Sequence, residues 1–173
     1  MSVLHPSPHG DQEFQAKVLG KPVFGIRLGE HIDEIRKRFK VNPVKPTNDK
    51  KRDLALQKKD CTWEINIANK KIEKLEIETF EGIVYLICVY LRDASSEAIK
   101  RQIATVYGAY IKDEGEMEID SGYMFILEVD GEKILIKILT YPGCYLFYQY
   151  LNLYEYKEHL YQDSTLKGVT EGL

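Results

Sequence analysis

The chain of 173 residues is short of several things: one tryptophan, three cysteines, four histidines and no apolar run approaching a membrane span. The cysteines (Cys61, Cys88 and Cys144) are odd in number and form no C-x-x-C pair, so a reducing compartment is the simpler reading, with Cys88 a small buried hydrophobe. His5 and His9 flank two prolines near the start, and only His31 and His159 lie within or beside the folded part. Zinc needs three or four ligands in fixed geometry, and no His/Cys cluster offers them, so neither metal nor cofactor is expected. A transmembrane helix needs about 20 apolar residues, which the chain lacks. Residues 1–20 hold histidines, prolines and charges but no apolar h-region, so the chain reads as cytoplasmic as written, or periplasmic if a leader has been removed. Lys and Arg number 24 against 27 Asp and Glu, a net charge of −3 that gives no general pull toward nucleic acid, whose binding needs a basic footprint, so no nucleic-acid partner is expected. There is no phosphate loop, no G-x-G-x-x-G and no H-E-x-x-H. A Cys144–His159 pair lacks any local signature, and no catalytic constellation is visible, so an enzyme is not expected.

What is present is an ordinary globular composition, 44% hydrophobic and 29% charged, and twelve tyrosines. Tyrosine suits half-buried strand positions and contact surfaces alike. The chain also nearly repeats itself at a step of 61 residues. Glu78-Thr79-Phe80-Glu81-Gly82 returns as Leu139-Thr140-Tyr141-Pro142-Gly143, and Leu75 and Ile77 return as Ile136 and Ile138.

Ile32, Ile35 and Phe39 make one apolar stripe of a short helix, closed by Pro43 and Pro46. A polar, lysine-rich connector runs from 42 to 60. Three strands follow: one around Trp63, Ile65 and Ile67, one around Leu75, Ile77 and Thr79, and one from Ile83 to Leu91. Ile99, Ile103 and Val106 stripe a second helix, capped by Asp93 or Ser95 and ended by Gly108. After the acidic stretch 113–120, strands are expected at 123–129, 132–141 and 144–153, and a short helix at 155–161. The expected fold class is therefore α+β: a tandem α-β-β-β repeat whose antiparallel curved sheet carries its helices on one face. One domain spans 21–161, as halves 21–91 and 92–161, between flexible tails at 1–20 and 162–173.

Two-residue hairpins at Glu81-Gly82 and Pro142-Gly143 pair Phe80 with Ile83, Glu78 with Tyr85, Glu76 with Ile87, Leu139 with Leu146, Lys137 with Tyr148 and Leu135 with Tyr150. The aliphatic face (Leu75, Ile77, Val84, Leu86, Ile134, Ile136, Ile138, Phe147) then goes under the helices. The aromatic face (Phe80, Tyr85, Tyr141, Tyr148, Tyr150) is the candidate binding surface. An error of one residue in either hairpin swaps the faces in that half. The bland alternative is that this aromatic face is covered by the 42–60 connector, by the C-terminal segment or by a second copy of the chain. The charged connector (Lys45, Lys50, Lys51, Arg52, Lys58, Lys59) and the acidic stretch (Asp113, Glu114, Glu116, Glu118, Asp120) read as solvated segments, and the acidic run lacks calcium-loop spacing.

Three segments carry a resemblance: Phe24-Gly25-Ile26-Arg27-Leu28-Gly29 before a helix, Thr79-Phe80-Glu81-Gly82-Ile83-Val84-Tyr85, and Val106-Tyr107-Gly108 at a helix end. Together they resemble small, mostly exported bacterial proteins that share the duplicated plan of β-lactamase inhibitory protein and of small outer-membrane-assembly lipoproteins. The resemblance covers roughly 23–154. It departs at Ala109, where a proline is usual, and at Tyr123 or Phe125, where a tryptophan is common. It implies a concave sheet used for protein contact rather than catalysis. The expectation is a non-catalytic interaction module of the inhibitor, immunity or assembly-factor type, with a protein partner or itself as partner. The alternative is a small-molecule or lipid carrier with a pocket between sheet and helices.

Overall fold

The structure is a computed structural model. It describes residues 2–3, 14–44, 59–108, 111–116, 122–140 and 143–171, with side chains placed for 14–44, 59–108, 122–140 and 143–163. The elements run β1 (Ser2–Val3), β2 (Gln15–Ala16), β3 (Leu19–Val23), β4 (Ile26–Leu28), α1 (Ile32–Arg36), β5 (Val41–Val44), β6 (Asp60–Ile65), β7 (Ile72–Phe80), β8 (Ile83–Leu91), α2 (Ser96–Tyr107), β9 (Ile111–Glu116), β10 (Gly122–Val129), β11 (Glu132–Leu139), β12 (Cys144–Tyr150) and α3 (Leu151–Glu171). The fold is α+β and its sheets are antiparallel. Eight strands form the main sheet in the order β5-β6-β7-β8-β12-β11-β10-β9. Two consecutive meanders therefore meet where β8 pairs with β12.

Each meander has one strand more than the sequence pattern shows. β5 lies at the start of the expected polar connector, and β9 lies in the expected acidic stretch. Both are the outer strands of the sheet. An edge strand pairs through its backbone on one side only and tolerates proline and charge, so it shows no apolar alternation to read. Residues 14–20, expected to belong to a flexible tail, instead enter the core through Ala16 and Leu19, each 1% exposed. At the other end, α3 continues to Glu171 through the expected tail.

Three hairpins share one turn chemistry. The central pairs Phe24-Gly25, Glu81-Gly82 and Asp130-Gly131 all have positive φ at both residues, 49° and 85°, 51° and 82°, and 50° and 79°. That geometry twists with the flanking strands, and glycine takes it without a Cβ penalty. The expected Phe80–Ile83 pair follows directly. Pro142-Gly143 cannot form such a turn, because the proline ring fixes φ near −65°. The strands flanking it pair one residue out of the expected register, Leu139 with Tyr145 and Ile136 with Tyr148. A bulge in β8 produces a similar offset: Thr79 pairs with Val84 but Glu78 with Leu86, so Tyr85 is the extra residue.

These two offsets correct the face assignment. One row of the covered side reads Trp63, Ile77, Ile87, Tyr148, Ile136, Phe125 across six strands. Within it, Ile77, Ile87 and Ile136 are fully buried, each contributing about 2 kcal/mol of transfer free energy. This side is covered by α1, α2 and the β3–β4 hairpin. Arg36 stacks on Trp63 at 4.7 Å, Lys100 lies over Tyr123 at 4.3 Å, and a Cβ on Gly20 would touch Ile134. α2 begins at Ser95, whose hydroxyl accepts from the Ala98 N–H at 3.3 Å. Of its expected stripe Ile103 is buried, Ile99 is half-buried, and Val106 is exposed.

Candidate functional site

The aromatic surface expected from the sequence is not open. Phe80, Tyr85, Tyr148 and Tyr150 are 0%, 1%, 9% and 0% exposed; Tyr141 lies outside the described residues. The register offset turns Tyr148 and Tyr150 under the covering layer, where Tyr148 shares a hydrogen bond with Tyr107 of α2 and the Tyr150 hydroxyl accepts from the Lys17 N–H at 3.3 Å. Phe80 and Tyr85 are packed by α3: Tyr156 meets Phe80 edge-on with centroids 6.5 Å apart, and Tyr154 lies 6.4 Å from Tyr85. The C-terminal segment is thus one of the covers, and it adds a buried ionic cluster.

α3 buries Leu153, Lys157, Leu160 and Tyr161, at i, i+4, i+7 and i+8. Lys157 occupies a core position of an otherwise apolar stripe, 4% exposed. Its Nζ donates to Asp60 Oδ2 and to Tyr85 Oη, both at 3.0 Å, and lies 4.4 Å from the Tyr85 ring centre. Tyr161 Oη donates to the same Asp60 oxygen at 3.2 Å. Tyr85 Oη lies 2.7 Å from both Asp60 Oδ1 and Glu78 Oε2. Burial, then the two carboxylates, push the Tyr85 phenol far above its ordinary range, so it stays a hydroxyl donor. Reading the sequence for charge runs missed this cluster. Its signal is a lysine at helical spacing among Leu153, Leu160 and Tyr161.

The face of the sheet opposite α1 and α2 is covered by α3 at one end, over Phe80, Glu78 and Asp60, and left partly open beyond it. Leu86, Leu135, Lys137, Leu139, Phe147 and Gln149 line a shallow depression of about 190 Å³ there. Leu86 and Phe147 were expected in the core; both are half-buried here because of the offsets. Beside the depression Tyr90 and Tyr145 pack edge to face, centroids 4.8 Å apart, and Lys74 covers Tyr90 at 5.4 Å while ion-pairing with Glu76. Cys88, cross-strand from Phe147, is 4% exposed, and burial pushes its thiol up to about 12. A thiol held protonated is a poor nucleophile. The face offers apolar contact area with a charged border.

The remaining candidates fall apart in space. His31 bridges to Ile83 at one end of β8, whereas Cys144 pairs with Leu91 at the other, roughly 26 Å away at strand rise. His31 works locally: its Nδ1 accepts from the Asp33 N–H at 3.1 Å and starts α1. His159 is exposed on α3. Of the expected charged stretches, Lys59 pairs with Glu81 at 2.9 Å; residues 45–58 and 117–121, with His5 and His9, lie outside the described residues, as do the side chains of 111–116. Among the described residues no group of three or more His, Cys, Asp or Glu could hold a metal ion, and no helix is long and apolar enough to cross a membrane.

The raised pKa values set an alkaline limit on stability. Cys88 titrates at about 9 unfolded and about 12 folded, Tyr150 at about 10 and about 12, with burial the leading cause for each. Tyr85, Tyr90 and Tyr148 shift in the same direction. A raised folded-state value leaves stability intact below the unfolded pKa and removes it as pH climbs toward the folded one. Urea midpoints are therefore expected to hold up to about pH 9 and fall steeply toward pH 12. The part of the phenolate absorbance that comes from Tyr85, Tyr90, Tyr148 and Tyr150 should rise together with unfolding rather than ahead of it.

Compared with protein-family models, with curated proteins and with solved structures, the chain finds no match in any of the three.

Proposed function

We propose that the protein is a non-catalytic interaction module that binds a protein partner through the open face of its sheet, around Leu86, Phe147 and Lys137. The observation that carries this reading is an apolar depression with a charged border, on a sheet whose other face is packed under α1, α2 and the β3–β4 hairpin. Contact surfaces of this kind bind through a desolvated apolar centre and take specificity from charges around it. The order of elements, a helix followed by four strands and then again a helix followed by four strands, supports reading the chain as two copies of one unit. The resemblance to the β-lactamase inhibitory protein plan points to the same use of a sheet.

The test compares three baits: wild type, Phe147→Glu on the open face, and Arg101→Glu on the exposed side of α2. A partner bound by wild type should be retained by Arg101→Glu and lost, by about tenfold or more in affinity, with Phe147→Glu, as for a central contact residue. Equal binding by all three baits would overturn the assignment.

A carrier role has one specific observation in its favour. A cleft of about 510 Å³ lies between β3, the end of α2 and β10, lined in part by Gly20, Val106, Tyr107, Leu127 and Val129. That volume lies within the range of small-molecule sites. Saturable binding of an apolar dye, blocked by Val106→Arg, would favour this reading over the first.

A further inference from the structure

One row of the open face carries opposite charges at equal distances from the centre line of the sheet. One register row crosses the four central strands as Glu76, Cys88, Phe147, Lys137. Its midpoint falls between β8 and β12. A carboxylate stands one strand beyond the central pair on one side, and an ammonium stands one strand beyond it on the other. The adjacent row reads Lys74, Tyr90, Tyr145, Leu139, with the two edge-to-face tyrosines at the centre.

We propose that the occupant of this face is a second copy of the chain, docked face to face about a two-fold axis that runs parallel to β8 and β12. The proposal rests on the open-face reading and names its partner. Rotation about that axis reverses the strand order and leaves the height along the strands unchanged. Each row therefore meets itself in reverse: Glu76 of each copy faces Lys137 of the other, Phe147 faces Cys88, and Tyr90 faces Tyr145. An isologous contact requires this self-complementarity, in which residue i meets j and j meets i.

The distances suit the residue types. Packed sheets lie about 10 Å apart, a gap that a glutamate and a lysine reaching toward each other can span. Aligned sheets cross at about 30°. Glu76 and Lys137 sit only one and a half strand spacings, about 7 Å, from the axis, so the crossing displaces them by less than the reach of a lysine. Glu76 already holds Lys74 within its own chain, and its second oxygen can accept another donor. Lys137 has no carboxylate partner among the described residues.

Light scattering on Glu76→Lys and Lys137→Glu tests the arrangement. Wild type at high micromolar concentration is expected at twice the chain mass. Each single variant alone opposes like charges at both contacts and is expected at the chain mass, as is Phe147→Glu at the centre. Mixing the two charge variants restores opposite charges at both contacts, so the equimolar mixture is expected to return to twice the chain mass. A wild type that stays at the chain mass overturns the proposal, and so does a dimer that neither charge reversal weakens. In either case the open-face reading stands if Phe147→Glu still loses a different bound protein, and it falls as well if that variant loses nothing.

Discussion

Replacing Lys157 by alanine is expected to cost about 3–5 kcal/mol of folding stability, the range for removing one partner of a buried ion pair. The lysine is 4% exposed at its side chain and its partner Asp60 17%, so solvent screens the pair weakly. The attraction between the two ions is not the main term, because burying both costs about as much as it returns. The main term is what removal leaves behind. Asp60 and Glu78 would stand beside the Tyr85 hydroxyl with no buried cation among them. Lys157→Met separates charge from packing, since methionine keeps most of the stem. If uncompensated charge dominates, Lys157→Met loses nearly as much as Lys157→Ala in urea denaturation. Lys157→Met combined with Asp60→Asn then recovers much of the loss. If Lys157→Met costs less than about 1 kcal/mol, in the range of a volume-conserving swap, the lysine acts only as a spacer.

The same cluster shows where sequence reading succeeds and where it stops. Strand positions in β7, β8, β10, β11 and β12 were legible because apolar alternation and the Glu81-Gly82 and Asp130-Gly131 turns agree. Register was legible only where the turn chemistry dictates it. Glu81-Gly82 gave Phe80 opposite Ile83, while β12 pairs one residue out of the expected register with β11, which exchanges Phe147 for Tyr148 on the open face. The bulge at Tyr85 has no local signature at all, because it is decided by what Tyr85 meets: Asp60, 25 residues earlier in sequence, and Lys157, 72 residues later. Edge strands β5 and β9 were illegible for a related reason. Their partners supply the hydrogen bonds, and their own side chains need show no pattern.

The candidate site inherits this one-residue uncertainty. An aromatic patch read from alternation alone named Tyr148 and Tyr150, which pack under α2 and beside Lys17. Two residues that remain partly exposed, Leu86 and Phe147, look like core in sequence, and only the pairing register places them outside.

The most direct test places a glutamate at two neighbouring positions, Phe147→Glu and Tyr148→Glu, and measures thermal unfolding in dilute solution. Tyr148 is 9% exposed and packed against Tyr107, so a carboxylate there is buried without a cation and is expected to cost about 4 kcal/mol or more, or to prevent folding. Phe147 is half-buried and stands directly cross-strand from Lys137, so the new carboxylate meets water and an opposite charge and is expected to cost about 1 kcal/mol or less. A folded Phe147→Glu beside an unfolded Tyr148→Glu is the result predicted for an open face centred on Phe147. The reverse order would contradict it, returning Tyr148 to the surface and Phe147 to the core.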